Sequence, residues 1–202
     1  MKRSLLFIPS NNPAMLQNAD VFDADAVIFD LEDAVMLSEK DAATALLRSF
    51  LSHVELNPIE KIIRINGLDT HLGLYDLDHI VSDHIDQIML PKATVTDVKS
   101  LAEHLKKLEK KHKMRKEIRI IPIIESAQAL VDIHQIASCD RVSGLLLGAE
   151  DLATDLGVER TEQGLEILMA RSLVVIAAKA KGIDAIDTPY TSVSNIEGLA
   201  ND

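Results

Sequence analysis

The stretch at residues 117–126, EIRIIPIIES, constrains this chain most. It puts Ile118, Ile120, Ile121, Ile123 and Ile124 in one short run, carries Pro122 and ends in a carboxylate, Glu125. Isoleucine suits a strand because its branched Cβ packs well on a pleated surface. A run that is apolar on both faces reads as a parallel strand covered on both sides. In parallel α/β folds the strand C-termini collect on one face, and the chemistry collects with them. A carboxylate at such an exit is a candidate metal ligand, and other strands should deliver its partners.

The remaining chain alternates in the same manner. Strands are predicted at residues 4–8 (SLLFI), 25–29 (DAVIF), 61–65 (KIIRI), 86–90 (DQIML), 142–147 and 183–186. Asn12 followed by Pro13 predicts a helix start, since an asparagine caps well and proline at the first helical position loses nothing by lacking its N–H. Ser38 with Asp41 resembles a capping box for a helix to about residue 51, with Leu46, Leu47, Phe50 and Leu51 inward. Thr94 caps a helix whose apolar face is Val95, Val98, Leu101, Leu105 and Leu108. Further helices are expected over residues 127–137, in a short piece ending near 156, and over 161–181. The last of these should turn Leu165, Leu168, Met169, Leu173 and Ile176 inward and end at Gly182.

Strict alternation predicts a parallel sheet with crossover helices. No glycine-rich turn follows the first strand, which removes the dinucleotide fingerprint. Polar residues also stand at nearly every strand exit rather than at one switch point. Both observations favour a (β/α)8 TIM barrel over an open doubly wound sheet. Only seven strands are found in 202 residues, against the roughly 250 residues of a typical barrel. The final NIEGLAND reads as the opening of a further helix. The expectation is a single TIM-barrel domain over residues 1–202, truncated after its seventh strand.

Composition narrows the function. The formal net charge is -11, which argues against nucleic acid, because phosphate binding needs clustered Lys and Arg. The basic run KKLEKKHKMRK at residues 106–116 has helical apolar spacing and reads as a solvated helix face. The single cysteine, Cys139, rules out a disulfide framework within the chain and reads as a bland thiol. No apolar run reaches membrane-span length, and residues 5–9 are too short for a signal-peptide core. A cytoplasmic protein with no membrane partner is expected.

The predicted exits carry Asp30, Glu32 and Asp33; Arg64; Lys92; Glu125; Glu150 and Asp151; and Asp187. None of the seven histidines is spaced as a metal site. An acid-rich set fits Mg²⁺, which prefers oxygen, takes one or two carboxylates at about 2.0–2.1 Å and keeps water or substrate elsewhere. Glu125 and one of Glu150 or Asp151 can supply two carboxylates from adjacent strands. The bland alternatives are a carboxylate favoured by a helix N-terminus for Glu125 and a helix cap for Asp151. At least one of Asp30, Glu32 and Asp33 is expected to tie down loops or to pair with Lys92, a role favoured for that lysine over a Schiff-base nucleophile.

Taken in order, RSLLFIP at 3–9, FDLEDAV at 29–35 with EKD at 39–41, RIN at 64–66, LPK at 90–92, PIIES at 122–126 and GAEDLATDLG at 148–157 resemble the HpcH/HpaI aldolase and citrate lyase β-chain family. Within it, FDLEDAV…EKD and the tail DTPYTSVSNIEGLAND are more similar to the citrate lyase β chains than to the malyl-CoA lyases. The resemblance implies a (β/α)8 barrel, Mg²⁺ as cofactor, and cleavage of a citryl thioester to oxaloacetate and an acetyl thioester. It implies Glu125 and Asp151 as metal ligands, and Arg64 and Glu125 as catalytic and substrate-contacting residues. The implied partners are an acyl thioester carried on ACP or CoA, further copies of the chain in a homo-oligomer, and a citrate lyase complex with α and γ (ACP) subunits. The alternatives are a malyl-CoA or citramalyl-CoA lyase, and a truncated, incompetent subunit serving as a scaffold.

Overall fold

The computed structural model describes residues 3–56, 58–192 and 194–201. Along the chain it forms β1 (Leu5–Pro9), α1 (Pro13–Gln17), β2 (Ala26–Asp30), α2 (Lys40–His53), β3 (Glu60–Arg64) and α3 (His71–Ile80). These are followed by β4 (Gln87–Leu90), α4 (Val95–His112), β5 (Arg119–Ile124), α5 (Ala127–Val131) and α6 (Ile133–Ile136). The last elements are β6 (Gly144–Leu147), α7 (Ala149–Leu156), α8 (Leu168–Lys181), β7 (Asp184–Ile186) and α9 (Ile196–Asn201). The seven strands pair in sequence order, every neighbour parallel. This is barrel topology in a curled but unclosed form: among the described residues β1 and β7 do not pair. Laid flat at about 4.8 Å per strand, β1 and β7 would lie about 29 Å apart. Yet Phe7 of β1 and Thr188, just past β7, line one cavity of about 430 Å³, which only a curled sheet permits.

Side chains in a strand alternate between faces, and that alternation sorts the core. One parity, including Ile8, Phe29, Ile63, Leu90, Ile124 and Leu147, packs outward under the helices. The other, including Ala26, Ile28, Ile62, Met89, Ile121, Ile123 and Leu146, packs on the concave inner face. Continuing the inner parity by one step along β2, β3 and β5 reaches Asp30, Arg64 and Glu125. The same rule puts the even-numbered residues of β4 outward, which bears on Lys92 below.

Several local expectations hold. The Met15 N–H donates to the side chain of Asn12 at 3.1 Å, and the Asp97 N–H to Thr94 Oγ1 at 3.1 Å. Gly182 ends α8 with φ +67°. Others are corrected. Ser38 falls inside a 3-10 turn, Leu37–Glu39, so Glu39 takes the N-cap position of α2 with no side-chain cap bond. The helix expected over residues 127–137 is broken in two at Asp132, whose φ/ψ of -92°/7° leaves the helical region.

The largest correction concerns α8. Residues 161–164 form a turn, with the Thr161 N–H and hydroxyl donating to the Glu166 carboxylate at 3.0 and 2.7 Å and Gly164 at φ +62°. The helix therefore starts later than periodicity suggested. Its inward face is Ala170, Val174, Ala177 and Ala178, whereas Leu165, Leu168, Met169 and Ile176 are exposed and Leu173 is half-buried. Small side chains face the sheet because they let the helix backbone approach β6 and β7 closely. Val174→Asp therefore buries an unpaired charge, and urea unfolding should report a loss of about 3 kcal/mol or more. Ile176→Asp, on the expected inward face, should change stability by less than about 1 kcal/mol.

Candidate active site

Asp30 and Arg64 are register partners on adjacent strands, β2 and β3. Both point inward, and they meet edge to edge: Arg64 Nε donates to Asp30 Oδ1 at 2.7 Å and Nη2 to Oδ2 at 2.5 Å. Asp30 is 1% exposed. Its carboxylate also accepts the N–H groups of Glu32 at 2.8 Å and Ala34 at 3.1 Å, so every lone pair facing the loop is used. Glu32 and Asp33 stand 3.4 and 3.3 Å from Arg64 Nη1. The Phe7 ring lies under the guanidinium, 5.1 Å from its centre, a distance at which a cation is attracted to the ring face. Burial opposes the Arg64 charge, but the Asp30 bonds and the neighbouring acids outweigh it and raise its pKa still further.

Glu125 leaves β5 on the same inner parity and is 8% exposed. The cap of the following helix is Ser126, whose hydroxyl accepts the Ala129 N–H at 3.1 Å. Glu125 instead accepts the backbone N–H of Lys92. Glu125 is therefore not the cap of that helix. The cap reading of Asp151 fails: the N-cap of α7 is Gly148, with no side-chain cap bond. Of the two acids after β6, Glu150 is engaged by Arg160 Nε at 3.1 Å. Asp151 is exposed and acts on Glu125 through its charge. A Cβ at Gly148 would sit 2.6 Å from Glu125 Oε2 and 2.7 Å from Glu125 Cβ, so a bare glycine makes the room this carboxylate occupies.

Arg64, Glu125 and Asp151 thus line one cavity of about 430 Å³, together with Phe7, Asp30, Asp33, Gly148, Glu150 and Thr188. Thr188 ties the two sides together, its Oγ1 accepting the Ala149 N–H at 3.3 Å. Lys92 does not join them. It is exposed, takes φ +48° and carries on from the outward parity of β4. Of the two roles expected for the β2-exit acids, Asp30 takes the loop-tying one through the Glu32 and Ala34 N–H groups, and the cation that pairs with them is Arg64 rather than Lys92; Lys40 Nζ holds the carbonyls of Leu31 and Glu32 at 2.8 and 2.6 Å. Asp187 lies outside the cavity lining and pairs with Arg171 at 3.1 Å. Cys139 is half-buried on the far helices, burial raising its thiol pKa. Sequence reasoning gave no role to Phe7 or Gly148, although both lie in quoted motifs, RSLLFIP and GAEDLATDLG; inner parity was a further signal for Phe7.

The donor set is all oxygen. Among the described residues no group of three or more His, Cys, Asp or Glu that could hold a metal ion is found. Burial first, then the charge of Asp151, push Glu125 up to about 7 against the bond from Lys92. Burial, with Asp33, Glu125 and Asp30, pushes Glu32 up to about 7 despite Arg64. Crowded, desolvated carboxylates of this kind favour a hard divalent cation.

The profile described as HpcH/HpaI aldolase/citrate lyase matches residues 3–202. The chain is similar to a citrate lyase subunit beta of Haemophilus influenzae, 38% identical over 202 residues, covering 98% of this chain and 69% of that protein. It is also similar to a (3S)-malyl-CoA thioesterase of Cereibacter sphaeroides, 33% identical over 198 residues, covering 98% and 66%. Its fold matches a solved citrate lyase beta subunit of Mycobacterium tuberculosis complexed with oxaloacetate and magnesium, with TM-score 0.78, 31% identity and coverage of 98% of this chain and 82% of that one. No helix among the described residues is long and apolar enough to cross a membrane.

An acid with a higher pKa folded than unfolded holds its proton more tightly in the fold. Without metal, the contribution of Glu32 and Glu125 to stability should therefore be fullest below the ordinary value of 4.5 and be lost as pH rises through about 7. Urea unfolding in EDTA should show Glu125→Gln losing about 1–3 kcal/mol less than wild type between about pH 5 and about pH 8. Gly148→Ala should displace the Glu125 side chain and destabilise the chain by about 1–3 kcal/mol in the same assay.

Proposed function

The chain belongs to the HpcH/HpaI aldolase/citrate lyase family of carbon–carbon lyases, and on that premise we propose that it cleaves a citryl thioester to oxaloacetate and an acetyl thioester. Its cofactor is Mg²⁺, as in the magnesium- and oxaloacetate-bound relative, and the all-oxygen pair Glu125 and Asp151 fits that ion. The observation that carries the proposal is the convergence of Arg64, Glu125 and Asp151 on one cavity. When bound, Mg²⁺ supplies positive charge that lowers the pKa of a substrate hydroxyl.

The protein's own residues do the rest. Glu125 and Asp151 are the metal ligands, and Glu125, lining the cavity beside the ion, also contacts substrate. Asp30 occupies the Nε–Nη2 edge of Arg64 and orients the guanidinium, and a substrate carboxylate would take the Nη1–Nη2 edge in place of the Asp33 bond at 3.3 Å. A planar fork suits such a bidentate contact and suits the oxyanion that develops as the C–C bond breaks. The apolar walls, Phe7, Ile123 and Leu146, lower the local dielectric and strengthen each of these interactions.

Similarity to a protein named a β subunit supports assembly with α subunits and a γ subunit that carries the acyl group as ACP, alongside self-association. A single cysteine supports a cytoplasmic setting. Similarity to a malyl-CoA thioesterase supports a second reading, a malyl-CoA or citramalyl-CoA lyase. Product formation from citryl-ACP compared with malyl-CoA and citramalyl-CoA separates the two.

Glu125→Gln and Asp151→Asn should each abolish Mg²⁺-dependent cleavage and its binding heat. If both retain full Mg²⁺-dependent activity, the ligand assignment is wrong. Arg64→Lys keeps the charge but loses the fork and should lower kcat/KM by about 10²–10³. If wild type gives no heat with Mg²⁺ and oxaloacetate, a scaffold role replaces the enzyme reading.

A further inference from the structure

Behind the β2–β3 corner of the cavity lies a buried polar cluster to which the reaction assigns nothing. Asp76, on α3, is 1% exposed. Its Oδ2 accepts the Asn66 backbone N–H at 3.0 Å and Asn66 Nδ2 at 2.7 Å. Its Oδ1 accepts the Thr44 hydroxyl, from α2, at 2.9 Å. Asn66 Nδ2 also donates to the Leu31 carbonyl at 3.0 Å. Lys40 donates to that carbonyl and to that of Glu32. Burial raises the Asp76 pKa, while the Asn66 and Thr44 bonds and the Lys40 charge act against it. A buried carboxylate persists only when donors surround it in this way.

None of Lys40, Thr44, Asn66 and Asp76 lines the cavity, but all are joined to what does. Leu31 follows Asp30, the partner of Arg64. Asn66 lies two residues past Arg64. The β2 exit has left the strand ladder here; its Leu31 N–H still reaches the Arg64 carbonyl at 2.9 Å, and its two carbonyls rest on Lys40 and Asn66. Release of the cluster would let the two exits shift against each other and carry the Asp30–Arg64 pair with them.

We propose that Asp76, Asn66, Thr44 and Lys40 are positioning residues that clamp the β2 exit to the β3 exit and so hold the Arg64 guanidinium on its substrate. The proposal rests on the reading of Arg64 as the group that binds the substrate carboxylate. The cluster touches neither Glu125 nor Asp151, so it should act on substrate and leave the metal alone. A merely structural role would not make that distinction.

The test is calorimetric titration of the purified chain with Mg²⁺ alone, and with oxaloacetate in saturating Mg²⁺. The proteins are wild type, Thr44→Val, Thr44→Ser, Asp76→Asn and Arg64→Lys, with a thermal unfolding curve for each. Thr44→Val is nearly isosteric and replaces the hydroxyl, which bonds Asp76 at 2.9 Å and the Lys40 carbonyl at 3.0 Å, by a methyl group. It and Asp76→Asn should weaken oxaloacetate binding by about tenfold, the scale expected when a binding group is misplaced by a fraction of an ångström. Thr44→Ser should restore it, and the Kd for Mg²⁺ should stay within about twofold in all three. Unchanged oxaloacetate binding in Thr44→Val, or Mg²⁺ binding that weakens in step, overturns the proposal. If Asp76→Asn does not fold, the Thr44 pair decides. If Arg64→Lys binds oxaloacetate as wild type does, the reading of Arg64 falls and the clamp with it. If Arg64→Lys loses binding while Thr44→Val keeps it, only the clamp falls.

Discussion

The cavity depends on the buried ion pair between Asp30 and Arg64. Such a pair is weak evidence for stability, because two desolvation costs stand against its Coulombic gain; breaking it, however, typically costs about 3–5 kcal/mol by stranding one charge. Its value lies in direction. The two residues are register partners, so the strand ladder brings them together before any side chain chooses a rotamer. Glu32 and Ala34 then use the remaining lone pairs of Asp30 through their N–H groups. This fixes the carboxylate and, through it, the guanidinium. An arginine held along one edge and backed by Phe7 loses little conformational freedom on meeting a ligand, and that is the physical content of preorganisation.

The opposite wall is built by subtraction. Glu125 is on the inner parity of β5, but its carboxylate would have no room if Gly148 carried a side chain. Ser126 takes the capping duty of the next helix, and Lys92 offers Glu125 a backbone N–H instead of its ammonium. The positive φ of Lys92 turns that N–H toward Glu125 and sends the side chain out to solvent. Glu125 therefore keeps a backbone partner that orients it, and the Arg64 and Lys92 charges only partly offset the burial that raises its pKa. Asp151, one strand over and unpaired by Arg160, completes the wall.

Legibility in the sequence followed the range of the forces involved. The caps at Asn12, Thr94 and Gly182 depend on a few adjacent residues and were read directly. The parallel sheet was legible because alternation is repeated seven times, and the exit positions of Arg64, Glu125 and Asp151 followed from it. What failed depended on partners distant in sequence. Ser38 looked like a cap, but Asn11 Nδ2 donates to Glu39 at 2.6 Å and a 3-10 turn takes the place of the capping box. The break at Asp132 has no glycine or proline to announce it; its carboxylate is held by the side chains of Gln128 and Gln135 at 2.7 and 3.0 Å. On α8 the large apolar residues were assigned inward by size, whereas close approach to the sheet selected alanines. Lys92 was assigned to the site by its charge, and one backbone dihedral removed it. The roles of Lys40 and Asp76 were not legible because their partners, the Leu31 and Glu32 carbonyls for Lys40 and Thr44 and Asn66 for Asp76, lie on other segments.

The two walls also explain each other. Asp30, Asp33, Glu125 and Asp151 line the cavity with Arg64, and Glu32 stands beside it. An anionic ligand entering such a space meets repulsion that Arg64 alone cannot offset, since Asp30 already uses much of its charge. The raised pKa values of Glu125 and Glu32 are the same repulsion expressed on the protein's own acids. Desolvation that makes the empty arrangement costly also strengthens any charge that completes it, because Coulombic energies grow as the local dielectric falls. On this construction a dicarboxylate would bind better with a divalent cation than alone, because the cation offsets the repulsion from the acids. Selectivity for the pair comes from acids kept close together by Asp30's backbone bonds, by Gly148, and by the register of a sheet whose strands all exit on one side.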